Sequence, residues 1–442
     1  MKVHLISLGC FRNLVDSEVM LGQLSKSGCQ FTADPSEANV IIINTCAFIA
    51  SSKKESNDAI HYASKFKQQG NCERIIVVGC LPQRHQASLK KTFPDVDVFL
   101  GTGEYDQIVS VVTQPISSRI IKCSDPNQYS HPESWMMNRI PSTFPATHIK
   151  IAEGCNKHCT YCIIPALRGK YRSRSPSTIL SEMTHFMNHQ FKEFNLVAQD
   201  TTCYGLDLNP VYSLQQLILD ISTLSNDIWL RVLYGHPESI TEEFIKEVSL
   251  HENVCPYFDL PIQHASDTIL KRMGRHYRSA DLYRLFETIR RLMPHAALRT
   301  TLLIGFPGET DQDIKYLESF IRDIRFDHLG IFQYSDASDL ASHRLSPHVP
   351  KRAAQERYHH LMHIQAELSK LNNQKYIGTT QQVLIESQEE GRRTYIGRTR
   401  FQGPEVDGLT YVHVSKNISV GSFVDVRITD SSEYDLIGEQ HI

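Results

Sequence analysis

Three apolar runs, VHLISLGC, NVIIINTC and RIIVVGC, each stop at a cysteine: Cys10, Cys46 and Cys80. Between them lie segments of helical period, SEVMLGQLSKSG and SSKKESNDAIHYASKFKQQG. The alternation predicts β-α-β-α-β with a parallel sheet over residues 1–112. Parallel strands joined by right-handed crossovers all run the same way, so the residues just past their ends gather along one edge. Cys10, Cys46 and Cys80 are therefore expected to meet, although 36 and 34 residues separate them along the chain. Gly9 and Gly79 precede two of them, and a residue without a Cβ suits close approach of the backbone to a bulky ligand.

A chain of 442 residues exceeds the usual single core, so two or three domains are expected. Residues 113–145, rich in Ser, Pro and Asn as in SDPNQYSHPESWMM, read as a linker, with Met136 and Met137 packing on a neighbour. Residues 146–376 carry strand-like runs THIKIAEG, FKEFNLVAQD, IWLRVLY, YFDLPIQH, LRTTLLIGFPG and DHLGIFQYS. Helical patterns such as STILSEMTHFMNHQ and SADLYRLFETIRRLM fall between them. Six or so βα units predict an open, partial (β/α) barrel, whose sites belong at the C-terminal ends of its strands. Residues 377–442 are strand-like throughout, with turns at Glu390-Gly391 and Asp407-Gly408, and predict a small β-barrel. The fold class is α/β with a parallel-sheet first domain, a partial barrel and a terminal β-barrel.

No run approaches the roughly 18 apolar residues that span a bilayer. The N-terminal stretch reads as a first strand with no small-residue cleavage pattern, so a cytoplasmic location and no membrane partner are expected. Eleven cysteines make an odd count, too sparse over this length for a disulfide scaffold. In a reducing compartment such clusters point to metal or redox chemistry. Cys29, Cys72, Cys123, Cys203 and Cys255 show no partner spacing and read as incidental or buried thiols.

A second set, Cys155, Cys159 and Cys162, forms C-x3-C-x2-C in EGCNKHCTYCIIPALRG. Three thiolates leave an iron-sulfur cube with one iron that has no protein ligand, where a small molecule can coordinate. Zinc is the rival, with His158 as fourth ligand. Adjacent His158 and Cys159 are awkward to bring onto one ion together with both flanking cysteines, and zinc knuckles usually pair two-residue gaps.

C-x3-C-x2-C with the aromatic Tyr161 before its last cysteine resembles the signature of the radical S-adenosylmethionine superfamily. The resemblance implies a [4Fe-4S] cluster on Cys155, Cys159 and Cys162 whose open iron is chelated by S-adenosyl-L-methionine. An electron from the cluster then cleaves the sulfonium, and the resulting 5'-deoxyadenosyl radical abstracts hydrogen from an unactivated carbon. Tyr161 would lie near the adenine. GCFRNLVDSE, NTCAFI and GCLPQR, followed by EGCNKHCTYCIIP and RGKYRSR, resemble the methylthiotransferases. That family implies a second [4Fe-4S] cluster on Cys10, Cys46 and Cys80, carrying the sulfur of the methylthio group. One S-adenosylmethionine would donate the methyl group and another would generate the radical.

Two branches of the family are in play. NTCAFI, LRVLYGHPE, CPYFDLPIQHASDTILKRMGR and GRTRFQGPEVDG resemble the branch that modifies the β-carbon of an aspartate in a small-subunit ribosomal protein. The alternative is a tRNA isopentenyl-adenosine methylthiotransferase. The last domain resembles the TRAM module, which grips RNA in tRNA-modifying relatives, yet residues 377–442 carry six Lys or Arg against ten Asp or Glu. That balance argues against tRNA and suits a basic ribosomal protein, free or in the assembled small subunit. The resemblance also implies a low-potential electron donor, such as a flavodoxin or ferredoxin, and a sulfur donor. Ala47 stands where the branch usually has Gly, Arg12 where Lys is common, and Tyr-Gly-His at 234–236 is unusual; none removes a proposed ligand.

Gln199 and Asp200 end a strand-like run and are assigned to cofactor or substrate binding, with turn capping as the plain alternative. GFPGET, with Gly305 and Pro307, resembles the strand-end segment that packs near the methionine moiety; Glu309 and Thr310 also suit capping of the next helix. His264 reads as a structural histidine. Arg168, Lys170, Arg172 and Arg174 in LRGKYRSR would hold a carboxylate or steer an acidic segment, or form a solvated basic loop.

Overall fold

The computed structural model describes residues 1–128 and 133–441, so residues 129–132 of the expected linker and Ile442 lie outside the described residues. The chain divides into two compact units. Unit 1 comprises Met1–Ser142, Lys150–His158 and Cys162–Glu182, and unit 2 comprises Thr143–Ile149, Cys159–Tyr161 and Met183–Ile442.

Unit 1 is built on a parallel sheet of six strands: β1 (Lys2–Ser7), β2 (Gln30–Phe31), β3 (Val40–Thr45), β4 (Arg74–Gly79), β5 (Val98–Leu100) and β6 (Ile120–Lys122), in the order β2-β1-β3-β4-β5-β6. The three expected strands β1, β3 and β4 are neighbours, and β6 comes from the segment read as a linker. In β3 every residue is buried, because a strand central to a parallel sheet is covered on both faces. Its β-branched residues alternate between two cores: Val40 and Ile42 pack on one side, Ile41 and Ile43 on the other. Ile76 and Val78 of β4 join the first core, Ile75 and Val77 the second. Helix α1 (Phe11–Lys26) covers the first face with Val15, Val19, Met20 and Leu24, and α2 (Ala50–Gln69) covers the second with Ile60 and Ala63. Short helices α3 (Cys80–His85), α4 (Leu89–Thr92) and α5 (Ile108–Thr113) complete the layers. Met136 is buried in the first core, as its neighbour-packing assignment requires.

The chain continues through β7 (Ala146–Lys150), β8 (Ala152–Glu153), α6 (Ile164–Arg168), β9 (Arg172–Ser173) and α7 (Pro176–Asn188), with β8 and β9 paired antiparallel. Unit 2 then adds β10 (Glu193–Val197), β11 (Trp229–Val232), β12 (Tyr257–Asp259), β13 (Ala297–Ile304) and β14 (His328–Gln333). They form two three-stranded arcs, β11-β10-β7 and β12-β13-β14. Hydrogen bonds from Leu230 N to Asn253 O (2.8 Å) and from Cys255 N to Leu230 O (2.8 Å) join the arcs, giving the expected partial barrel of six βα units. Outside it lie α8 (Leu214–Ser222), α9 (Glu242–Leu250), α10 (Asp267–Arg272), α11 (Ser279–Leu292), α12 (Asp311–Ile324) and α13 (Lys351–Gln374). Leu282, Phe286 and Ile289 make one apolar stripe on α11, and Ile314, Leu317 and Ile321 make another on α12.

The last strands, β15 (Thr380–Gln388), β16 (Thr394–Thr399), β17 (Thr410–His413), β18 (Phe423–Ser431) and β19 (Leu436–Gln440), close into a barrel in the order β15-β16-β17-β19-β18. This barrel meets the first residues of the parallel strands. Trp229 of β11 meets Phe423 at 4.8 Å with the rings tilted, Tyr257 of β12 donates to Asp407 (2.6 Å), and His328 of β14 bonds Phe401 O (2.8 Å). Glu193, first in β10, sits buried between Arg398 of β16 (2.5 Å) and Arg231 of β11 (2.9 Å). The small barrel thus covers the amino-terminal mouth of the larger one, opposite the strand ends where a site is expected.

Burial alone would raise the Glu193 carboxyl, but Arg398 and Arg231 bring it down to about 2 from its ordinary 4.5. Glu193→Gln leaves two buried guanidiniums short of an anion and is expected to cost roughly 3–5 kcal/mol in denaturant unfolding. A depressed carboxyl stabilises fully above pH 4.5 and loses that contribution as pH falls toward 2, so E193Q should be less acid-sensitive than the parent over that window.

Candidate functional site

The ends of β1, β3 and β4 bring Cys10, Cys46 and Cys80 together. Cys10 is the residue before α1, Cys46 follows β3, and Cys80 opens α3. A Cβ on Gly9, where φ is +95°, would lie 2.8 Å from Cys46 Cβ and 3.3 Å from its Sγ; Gly79, at φ +98°, would press a Cβ to 2.9 Å from Thr45 O. The glycines therefore let three backbone turns crowd one spot. Ser56 of α2 pins the second turn, accepting from Cys46 N (3.1 Å) and donating to Cys46 O (2.7 Å). Asn13 of α1 ties two strand ends by donating to Leu8 O (2.6 Å) and Thr45 O (3.4 Å). Ala47 is buried and has no positive φ, so the alanine is accommodated without strain.

The three thiols differ electrostatically. Burial pushes Cys80 up to about 12, Arg168 opposes it, and the neighbouring Cys46 and Cys10 add to it. Burial also raises Cys46. At Cys10 burial acts in the same sense, but Arg12 and Arg168 with backbone donors at Asn13 and Arg12 outweigh it, and the thiol is lowered. Such a set does not shed three protons unless a positive centre takes their place, which suits thiolate ligation of a cluster. Among the described residues, no three His, Cys, Asp or Glu side chains converge as a single metal ion needs. A four-iron cluster spreads its thiolates over separate iron corners and does not ask for that convergence.

Arg168, at the end of α6, is buried beside this trio rather than lying in a solvated basic loop. Its Nη1 donates to Asp16 (2.7 Å) and Glu153 (3.3 Å), and its Nη2 donates to Asn13 Oδ1 (3.0 Å) and lies 3.9 Å from Cys80 Sγ. Lys150 pairs with the same Asp16 and Glu153. Arg174 is also buried, on Glu182 (2.7 Å) and Lys150 O (2.7 Å), whereas Lys170 is exposed and Arg172 is half-buried over the carbonyls of Lys170 and Arg168. Leu167 packs in the same apolar cluster as Cys80 and Leu81, with Ile163 against it.

Cys155, Cys159 and Cys162 lie half-buried on the loop between β8 and α6. The unit division runs through that loop, grouping Cys155 and Cys162 with Cys10, Cys46 and Cys80, and Cys159 with unit 2. In unit 1, Cys155 N donates to Gly169 O (3.0 Å) and Lys157 N to Cys155 Sγ (3.4 Å). In unit 2, Thr160 donates through N to Met273 O (3.0 Å) and through Oγ1 to Arg272 O (2.9 Å). Tyr161 meets Phe306 edge-on, and its hydroxyl accepts from Arg275 Nη2 (2.7 Å) and Nε (3.1 Å). Arg275 also contacts His236.

The remaining assigned residues sit at carboxyl ends of unit 2 strands. Gln199 and Asp200 follow β10. The Asp200 carboxylate accepts from Thr202 Oγ1 (2.6 Å) and Cys203 Sγ (3.1 Å), so it does bind its own turn. Gly305 follows β13 with φ +71°, and its N–H is held by both oxygens of Glu309 (3.0 and 2.9 Å), which also pairs with Arg357 (2.7 Å). Glu309 is thus a clamp on the loop, and capping falls to Thr310 with Asp313. Pro307 O accepts from Arg272 (2.9 Å). His264 is buried; its Nδ1 accepts from Ala265 N (3.0 Å) and Ser266 N (2.9 Å), and burial lowers it to about 4, so it stays neutral as a structural histidine. Arg275 and Asn13 fall within segments that carry the family resemblance, but their roles have no spacing signal and come from the folded chain.

Three family models match: an uncharacterized protein family, UPF0004, at residues 2–101, the radical SAM superfamily at 149–321, and the TRAM domain at 377–440. A protein from Desulfosudis oleivorans named ribosomal protein uS12 methylthiotransferase RimO is 45% identical over 99% of this chain and 100% of the relative. Proteins of the same name from Geobacter sulfurreducens and Clostridioides difficile are each 42% identical over 99% of this chain and 98% of theirs. The chain belongs to the RimO methylthiotransferase family. RimO relatives match at full length, and the tRNA-modifying alternative is not favoured. The fold is also similar to the radical S-adenosylmethionine methyltransferase TsrM of Kitasatospora setae, solved with tryptophan and an analogue of S-adenosylmethionine. That likeness has a TM-score of 0.55 at 13% identity, over 75% of this chain and 72% of that one. No helix among the described residues is long and apolar enough to cross a membrane.

Among the three strand-end thiols of the metal-free chain, Cys10 should react first. Timed alkylation at mildly alkaline pH, read by peptide mass spectrometry, is expected to label Cys10 well before Cys46 and Cys80, because only its thiol is lowered.

Proposed function

We propose that the chain transfers a methylthio group to the β-carbon of an aspartate in ribosomal protein uS12. Cys155, Cys159 and Cys162 would hold one [4Fe-4S] cluster, and Cys10, Cys46 and Cys80 a second. When bound, the clusters and S-adenosyl-L-methionine would supply the one-electron chemistry, the methyl group and the sulfur. The observation that most supports this is the meeting of Cys10, Cys46 and Cys80 at three neighbouring strand ends, in a chain whose full-length relatives are named ribosomal protein uS12 methylthiotransferase RimO.

The side chains have separable tasks. Gly9 and Gly79 leave room at the first centre, while Asn13 and Ser56 fix the turns that present its thiols. Tyr161, Gln199, Asp200, Gly305 and Pro307 would bind S-adenosylmethionine. Arg275 fixes the Tyr161 ring, Asp200 rigidifies its turn, and the Glu309 clamp holds Gly305 in place. Under the same proposal residues 1–112 form the auxiliary-cluster domain, 113–145 a connecting segment that lends it β6 and Met136, 146–376 the radical domain and 377–442 the TRAM-like barrel. A low-potential donor such as a flavodoxin or ferredoxin and a separate sulfur donor would be its partners, since the reaction consumes electrons and a sulfur atom. The site of action would be the cytoplasm, where the ribosomal substrate is found. The acidic excess of residues 377–442 supports a basic protein over tRNA as substrate.

Mass spectrometry of uS12 from cells with and without the chain is expected to show a gain of one CH2S unit on an aspartate only when it is present; a gain on isopentenylated tRNA instead would overturn the substrate. After anaerobic reconstitution the intact chain should hold about eight irons, and replacement of Cys10, Cys46 and Cys80 by Ala should leave about four with S-adenosylmethionine cleavage retained. About four irons in the intact chain would refute the second cluster.

A further inference from the structure

Arg168 is the cation that the strand-end thiols share, and its surroundings fix which end of it faces them. The acids lie on Nη1, with Asp16 at 2.7 Å and Glu153 at 3.3 Å, while Nη2 takes Asn13 Oδ1 at 3.0 Å and lies 3.9 Å from Cys80 Sγ. Lys150 pairs with the same two acids, so the buried group holds two cations and two anions and is neutral as a whole. A neutral group with its anions on one side presents its positive pole on the other, and here that pole is Nη2 beside the thiol. Only a planar guanidinium spans four partners in this way; a lysine ammonium offers one point of charge.

We propose that Arg168 is a positioning residue for the centre held by Cys10, Cys46 and Cys80, keeping an N–H donor on the Cys80 sulfur and raising that centre's reduction potential. The role presupposes that these thiols hold a cluster. Hydrogen bonds and positive charge at ligand sulfurs favour the more negative, reduced state, and such partners in turn orient the ligand. Asn13 acts through Arg168: its carbonyl fixes Nη2, and its amide fixes the turns before Cys10 and Cys46.

The test uses the full chain with Cys155, Cys159 and Cys162 replaced by Ala, so that one centre remains, reconstituted anaerobically with iron and sulfide. Midpoint potentials are read by redox titration followed by electron paramagnetic resonance for the parent, R168K, R168Q and the charge-balanced pair R168Q with D16N. The pair leaves Lys150 facing Glu153 and avoids an unmatched buried acid. The expected result is a shift to more negative potential in R168Q and in the pair, an intermediate shift in R168K, altered g-values, and about four irons throughout. Identical midpoints and spectra in all four proteins, with iron retained, would overturn the role of Arg168. Failure of the parent to take up iron would instead overturn the second cluster, and this role with it.

Discussion

The parallel pairing of β1, β3 and β4 is the constraint on which the first unit depends. In-register pairs such as Leu5 with Ile42 and Ile42 with Ile76 bring three strand ends level, and the cysteines come level with them. Both faces of the sheet are buried, so a slip of one residue would exchange the two apolar sets of β3 between cores of different shape. Packing on either side of the sheet therefore holds the cysteine geometry, at a distance from the thiols themselves.

Around that edge the chain buries charge in closed groups. Asp16, Glu153, Lys150 and Arg168 form one, and Glu18, Arg139, Glu182 and Arg174 form another. Ion pairs of this kind add little net stability once desolvation is counted, but removing a single member is costly. They draw on α1, on the segment leading into β8 and on the stretch after the cysteine loop, so each locks several remote pieces of sequence at once. Neutral closed groups are specific in their pairing, which apolar contact alone is not.

Strands and cysteine sets were legible because they rest on local patterns. β-branched runs announce a two-sided parallel strand, spacing announces the C-x3-C-x2-C loop, and strand polarity converts three distant cysteines into neighbours. What was not legible depends on contacts between remote segments. LRGKYRSR reads as a stretch that holds a carboxylate, steers an acidic segment or forms a solvated basic loop, yet Arg168 and Arg174 are buried, because their acid partners come from Asp16 on α1 and Glu182 on α7. Glu309 reads as a helix cap, yet it holds Gly305 N, because Arg357 of α13 reaches it. Arg275 ends CPYFDLPIQHASDTILKRMGR, yet no role could be read for it there, since its partners Tyr161 and His236 are each more than thirty residues away. Likewise β6 came from a Ser/Pro/Asn-rich stretch in which a three-residue edge strand has too little pattern to stand out.

The seal between the closing barrel and the strand starts alters how much positive charge that barrel can show to solvent. Of the six basic residues counted in residues 377–442, Arg398 spends its charge internally on Glu193 and Glu386, and Arg400 is engaged by the carbonyls of Glu252 and Val254. Fewer cations face outward than the composition suggests, while most of the acids remain at the surface. A polyanion approaching this face would shed few of its own condensed counterions, so any hold on a phosphate backbone would be weak and nearly indifferent to ionic strength.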